Sequence, residues 1–165
     1  MLLSSPDVLE VLALFSTQQD LLADLDLIST HAHLPEDKAT EVIEKLVDLE
    51  ILFQKDNQVG LNRDNYEALL KEEVPNYEIM MEKIKLVHER VHHTSLKFEK
   101  DNQQYDLKRP ILLFECISDD KKFVYNTFKD LPDTRVLTYT TAELMNFLNE
   151  RDNEKRHLMR GLVLS

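Results

Sequence analysis

Residues Asp24 to Asn62, DLDLISTHAHLPEDKATEVIEKLVDLEILFQKDNQVGLN, read as two helices joined by a tight turn and followed by a short hairpin. Asp24 is placed to cap a helix carrying Leu25, Leu27 and Ile28, since its carboxylate can accept from the unpaired amides of the first turn. The chain then turns through His31-Ala32-His33-Leu34-Pro35, and Pro35 stands where the next helix begins. Leu34, Ala39, Val42, Ile43, Leu46 and Leu49 recur at helical spacing, which puts an apolar face opposite a charged one. Leu52-Phe53-Gln54-Lys55, a turn at Asp56-Asn57-Gln58, and Val59-Gly60-Leu61 complete the hairpin, with Asp-Asn supplying the turn chemistry.

Upstream, Ser5-Pro6-Asp7 is a helix start: a capping hydroxyl, a proline at the first helical position and an acid facing the positive end of the dipole. Val8, Leu9, Val11, Leu12, Leu14 and Phe15 carry that helix to about Gln18. Downstream, NRDNYEALLKEEV reads as a helix that stops near Pro75. A longer helix follows, whose stripe of Tyr77, Met80 or Met81, Ile84, Val87 and Val91 either pairs two subunits or packs on the chain's own core. Thr94 to Lys100 either prolongs that helix or pairs Leu96/Phe98 with Tyr105/Leu107 in a hairpin around Asp101-Asn102.

The last third changes character. Ile111 to Ile117 is a nearly continuous apolar run suited to a buried strand, and Ser118-Asp119-Asp120 caps a helix carrying Phe123, Val124 and Phe128. Val136 to Tyr139 is a second strand, Thr141 caps a helix with Leu144, Phe147 and Leu148, and Leu162 to Leu164 adds a third strand after Gly161. This β-α-β-α(-β) order predicts a small, mostly parallel sheet with right-handed crossovers. The expected class is α+β, with residues 1–62 as the helix-turn-helix and hairpin unit, 63–100 as linking or dimerising helices, and 101–165 as a small α/β domain.

Composition narrows the function. At 165 residues there is room for one domain or two small ones sharing a core. The two glycines, Gly60 and Gly161, permit neither a phosphate-cradling loop nor a G-x-G-x-x-G turn. Cys116 as the single cysteine excludes an intrachain disulfide and a cysteine-rich zinc site, which suits a reducing compartment. MLLSSPDVLEVLALF lacks a basic leader and no apolar run approaches a membrane span, so a cytoplasmic location without membrane contact is expected.

The order helix, helix, turn, helix, hairpin, with LPEDKATEVIEKLVDLEIL, resembles the winged-helix domain of ArsR/MarR-type transcriptional regulators over about residues 5 to 62. Leu34, Leu46, Leu49, Ile51 and Leu52 fall where that family places its core. The resemblance implies a dimer whose exposed recognition face enters the DNA major groove and whose wing touches phosphate. Carried onto this chain, the contact residues are Glu36, Lys38, Thr40, Glu41 and Lys45, with Lys55 in the wing. Two positions depart from the pattern: Glu50 stands where the family usually has glycine, and Glu41 where a polar or basic base-reader is common.

Charge opposes the implied ligand. Residues 1–62 hold twelve acids against three lysines and no arginine, so −9 of the formal net −11 resides there. Affinity for duplex DNA rests on neutralising phosphates, and a helix bearing Glu36, Asp37, Glu41 and Glu44 repels them. Two readings follow: a dimeric winged-helix transcriptional regulator, or a non-enzymatic adaptor whose acidic winged helix meets a basic protein.

Other motifs carry less. His88-Glu89-Arg90-Val91-His92 spells H-E-x-x-H, which on a helix sets two imidazoles one turn apart with a glutamate to activate zinc-bound water. Arg90 at an inner position, and Ser95 and Phe98 where metzincin spacing needs a third histidine, argue against a peptidase. The resemblance to ArsR-type regulators, some of which sense metal through paired ligands on the helices after the wing, implies His88, His92 and His93 as candidates for a zinc- or nickel-sensing site, against the plainer reading of a histidine-rich polar face. His31 and His33 read as solvent-exposed. Asp119-Asp120 at a strand end could hold Mg²⁺ but is explained by helix capping. Cys116 reads as inert core. No Ser-His-Asp or Cys-His set exists, so no catalytic residue and no resident cofactor are expected.

Overall fold

The computed structural model describes residues 1–149 and 161–164. The class is α+β, with two separate antiparallel or mixed sheets and seven α-helices among the described residues. Helix α1 (Pro6–Thr17) starts as its sequence dictates, with Pro6 at the first position and the Ser5 hydroxyl accepting from the Val8 amide at 3.4 Å. Every residue from Val11 to Ser16 is buried, so the helix is covered on all sides rather than along one stripe.

The winged helix follows. Strand β1 (Leu22–Ala23) leads into α2 (Leu25–Ala32), capped by the Asp24 carboxylate, which accepts from the Leu27 amide at 2.9 Å. His33 adopts a left-handed conformation and closes α2. Helix α3 (Glu36–Asp48) then begins after Pro35. Strands β2 (Leu52–Lys55) and β3 (Gln58–Leu61) pair in register Lys55↔Gln58, leaving a two-residue turn at Asp56-Asn57. The sheet order β1-β3-β2 adds a third strand that the sequence pattern does not announce.

The end of α3 explains one departure from the resembled pattern. The Glu50 amide donates to the Val47 carbonyl at 3.0 Å and the Ile51 amide to the Leu46 carbonyl at 2.9 Å, the paired bonds of a Schellman cap. Such a cap requires a left-handed residue, and Glu50 has φ 60°. The position is therefore one that favours glycine, held here by glutamate at a steric cost.

Helix α4 (Arg63–Glu73) ends at Val74, and after Pro75 and a left-handed Asn76 the chain enters α5 (Tyr77–Val87). The α5 stripe turns inward: Tyr77, Met80, Ile84 and Val87 are buried in this chain's own core. Helix α5 does not extend through the H-E-x-x-H segment. His88–Arg90 is a single 3-10 turn, and Val91 opens a long strand, β4 (Val91–Asp101), which turns at Asn102-Gln103 into β5 (Gln104–Cys116). Of the two readings of Thr94 to Lys100, the hairpin is the one formed.

Strand β5 connects through α6 (Lys121–Phe128) to β6 (Arg135–Tyr139), which pairs with it in parallel; α7 (Thr141–Asn149) follows, and β7 (Leu162–Val163) lies antiparallel to β4. The order is β6-β5-β4-β7, so the expectation of a mostly parallel sheet is corrected: β5/β6 is the one parallel pair among the described strands. A two-residue turn between β4 and β5 permits only antiparallel pairing. Two capping expectations also change. Ser118–Asp120 forms its own 3-10 turn and gives α6 no side-chain cap. At α7 the cap is Thr140, not Thr141: its hydroxyl accepts from the Glu143 amide and Glu143 accepts from the Thr140 amide, both at 3.2 Å. The Lys121 ammonium bonded to Glu143 holds that carboxyl below the usual carboxylate range.

The apolar core is continuous from α1 through the winged helix to β4, β5 and β7. The Ser16 hydroxyl ties the two ends, accepting from the Val163 amide at 2.9 Å and donating to the Ala13 carbonyl at 2.8 Å. At the strained helix end, Glu50→Gly should stabilise the fold by about 1 kcal/mol by relieving the left-handed side chain. Urea denaturation checks this, with Glu50→Ala as the control that removes the charge but keeps the Cβ.

Candidate partner surface of the winged helix

Helix α3 buries Ala39, Val42 and Leu46 against α1 and α2 and turns the rest outward. Glu36, Asp37, Lys38, Glu41, Glu44, Lys45 and Asp48 are exposed, and in the wing so are Phe53, Gln54 and Lys55. Of the six residues the resemblance marks for contact, Glu36, Lys38, Glu41, Lys45 and Lys55 lie on open surface. Thr40 is half-buried, and its hydroxyl is committed to the Glu36 carbonyl at 2.7 Å.

The acids on this face divide by their local role. Glu36 and Asp37 sit in the first turn, where the helix dipole favours negative charge. Glu41, Glu44 and Asp48 lie beyond that turn and gain nothing from it. Lys45, in the last turn, complements the other end of the dipole. The open face thus presents five carboxylates to two ammonium groups, with no arginine in residues 1–62 to form a bidentate phosphate or guanine contact.

Beside this face the wing carries an aromatic group that the sequence reading did not single out. Phe53 pairs across the hairpin with Gly60 and stays 43% exposed. A Cβ on Gly60 would stand 2.6 Å from Phe53 Cζ and 3.0 Å from Leu22 Cδ2, so the ring lies on the space that the missing side chain leaves. The signal was present as a Phe facing a Gly across a two-residue turn.

The histidines are arranged differently from the helical expectation. His88 stands in the 3-10 turn, His92 is exposed and His93 half-buried on β4, so the one-turn spacing of two imidazoles does not form. His93 instead lines a cavity of ≈ 370 Å³ together with His31, His33 and Glu10, between the helix-turn-helix and the edge of the second sheet. Among the described residues no group of three or more His, Cys, Asp or Glu side chains is placed to hold a metal ion. Asp120 pairs with Arg90 at 3.8 Å, and the Arg90 guanidinium lies 4.0 Å from the centroid of the Phe123 ring. Cys116 is buried at the end of β5, and burial pushes its thiol up. No helix among the described residues is long and apolar enough to cross a membrane.

No family model matches the chain, and no curated protein does. Two solved structures resemble it weakly. One is an IclR homolog complexed with 4-hydroxybenzoate from Microbacterium hydrocarbonoxydans, 21% identical, with a TM-score of 0.30 over 59% of this chain and 44% of that one. The other is an IclR homolog from Microbacterium sp. strain HM58-2, 18% identical, with a TM-score of 0.31 over 62% of this chain and 43% of that one. The chain spans less than half the length of either, and at such TM-scores the likeness assigns no role.

Filling the space under the wing aromatic tests its packing. Gly60→Ala should lower stability by about 1 kcal/mol, the low end for overpacking because the half-exposed ring can lift. The fluorescence-detected denaturation midpoint reads the change.

Proposed function

We propose that the chain is a winged-helix regulator of transcription that acts as a dimer and uses α3 and the wing to contact a basic protein partner. The observation that carries this reading is the open face of α3: it has the placement of a recognition helix and the charge of a surface that repels phosphate. Exposed Phe53 beside it supports a protein contact, since aromatic side chains are enriched at the cores of such interfaces. Direct DNA contact is the competing reading, favoured by the helix-turn-helix geometry alone.

Dimerisation draws its support from what α5 leaves over. With Tyr77, Met80, Ile84 and Val87 buried within the chain, Ile79 and Leu86 remain 49% and 70% exposed two turns apart on the outer face. That spacing gives a short apolar seam suited to pairing with a second copy. The histidines do not add a metal-sensing role to this reading.

Duplex binding across a salt series decides between the partners. The expected result is no measurable affinity even near 50 mM salt; binding that falls steeply towards 200 mM would favour DNA instead. For assembly, sedimentation equilibrium should give a dimer mass for the native chain and a monomer mass for Leu86→Glu. A monomer at all concentrations for the native chain would remove the seam from the reading.

A further inference from the structure

The cavity of ≈ 370 Å³ between the helix-turn-helix and the second sheet is walled by α1, the end of α2, β4 and β7. His93 and Ser95 stand two apart on β4, so both side chains lie on the face of the strand turned to the cavity. Ser95 is 2% exposed, and among the described residues neither its hydroxyl nor the His93 imidazole has a hydrogen-bond or ion-pair partner. The hydroxyls of Tyr66, Thr94 and Thr138 are orphaned too, but they are sealed from any solute; that of Ser95 is not sealed, and it opens on the cavity. A buried polar group without a partner costs stability, and native proteins keep few such groups unless something else completes them.

The other polar walls are engaged or wet. Glu10, His31 and His33 also line the cavity, and each has interactions of its own. The Thr17 hydroxyl donates to the Leu14 carbonyl at 2.6 Å, and Thr30 is exposed, where water serves it. Away from solvent, the open capacity is that of Ser95 and His93. A hydroxyl and a neutral imidazole each bring one donor and at least one acceptor. An ammonium, all donors, leaves both hydrogens of this pair unanswered. A carboxylate meets the Glu10 carboxylate in the same wall, beside a region that carries −9 of the formal charge. A primary amide offers an acceptor and a donor side by side. Residues two apart on a strand stand roughly 7 Å from one another, a span that one amide bridges with a hydrogen bond of about 2.9 Å on each side. Ala13 and Val163 supply apolar wall, and the volume suits a small molecule.

We propose that this cavity binds a small neutral primary amide with an apolar tail: the Ser95 hydroxyl donates to the amide carbonyl, the amide N–H donates to the His93 imidazole, and the tail lies against Ala13 and Val163. Because the walls come from both the helix-turn-helix and the second sheet, a bound amide stabilises their docking by mass action. Its occupancy does not depend on what α3 contacts.

Calorimetric titration at pH 8 with benzamide, benzoate and benzylamine, three molecules of similar shape and different charge, tests the proposal. Benzamide should bind about tenfold more tightly than either ion and raise the thermal midpoint of the native chain. Ser95→Ala should weaken benzamide severalfold. His93→Phe, which keeps a ring and removes both nitrogens at a half-buried position, should do the same. Affinity for benzoate or benzylamine equal to that for benzamide, no benzamide binding at millimolar concentration, or undiminished benzamide affinity in both variants would each overturn the proposal.

Discussion

The burial of α1 on every side is the constraint on which the rest of the structure depends. Six consecutive residues from Val11 to Ser16 are out of solvent, and no single sheet or helix can enclose a helix all round. The winged helix supplies cover through α2 and α3, while β7 supplies cover from the second sheet. Ser16 makes that second contact specific: its hydroxyl is the acceptor for a β7 amide. A further tie binds the segment before α1 to α4, where the Glu73 carboxylate accepts from the amides of Leu2 and Leu3 at 3.1 and 2.7 Å. Removing that carboxylate would leave two amides of a 3-10 turn without partners.

What the sequence made legible was local. Ser5 and Asp24 cap the helices they precede because a cap needs only residues three apart. The wing followed from two short apolar runs and an Asp-Asn turn. The strand at Ile111 to Ile117 showed itself as an unbroken apolar run. The sheet order did not show, since the pairing of β7 with β4 joins segments far apart in the chain and leaves no periodic trace. Strand β1, with two residues, is too short to carry a period. The H-E-x-x-H spelling sets no two imidazoles one turn apart, because letter spacing does so only if the helix continues, and it stops at Val87.

The candidate surface was legible in its charge and not in its detail. Counting acids and lysines in residues 1–62 already identified a face hostile to phosphate, and the structure adds which of those acids serve the helix dipole and which do not. Glu50 illustrates the gain. As a letter it was a missing glycine; in the fold it is a left-handed glutamate completing a Schellman cap.

The bond between Ser16 and Val163 spans 147 positions, and this separation bears on the order in which the molecule can acquire its structure. During synthesis the helix-turn-helix is complete long before the strand that shields the remaining side of α1 exists. For that interval an apolar helix is open to solvent, so the unit that looks most self-sufficient on paper matures late. Its shape at the partner surface is thereby coupled to the arrival of a distant strand.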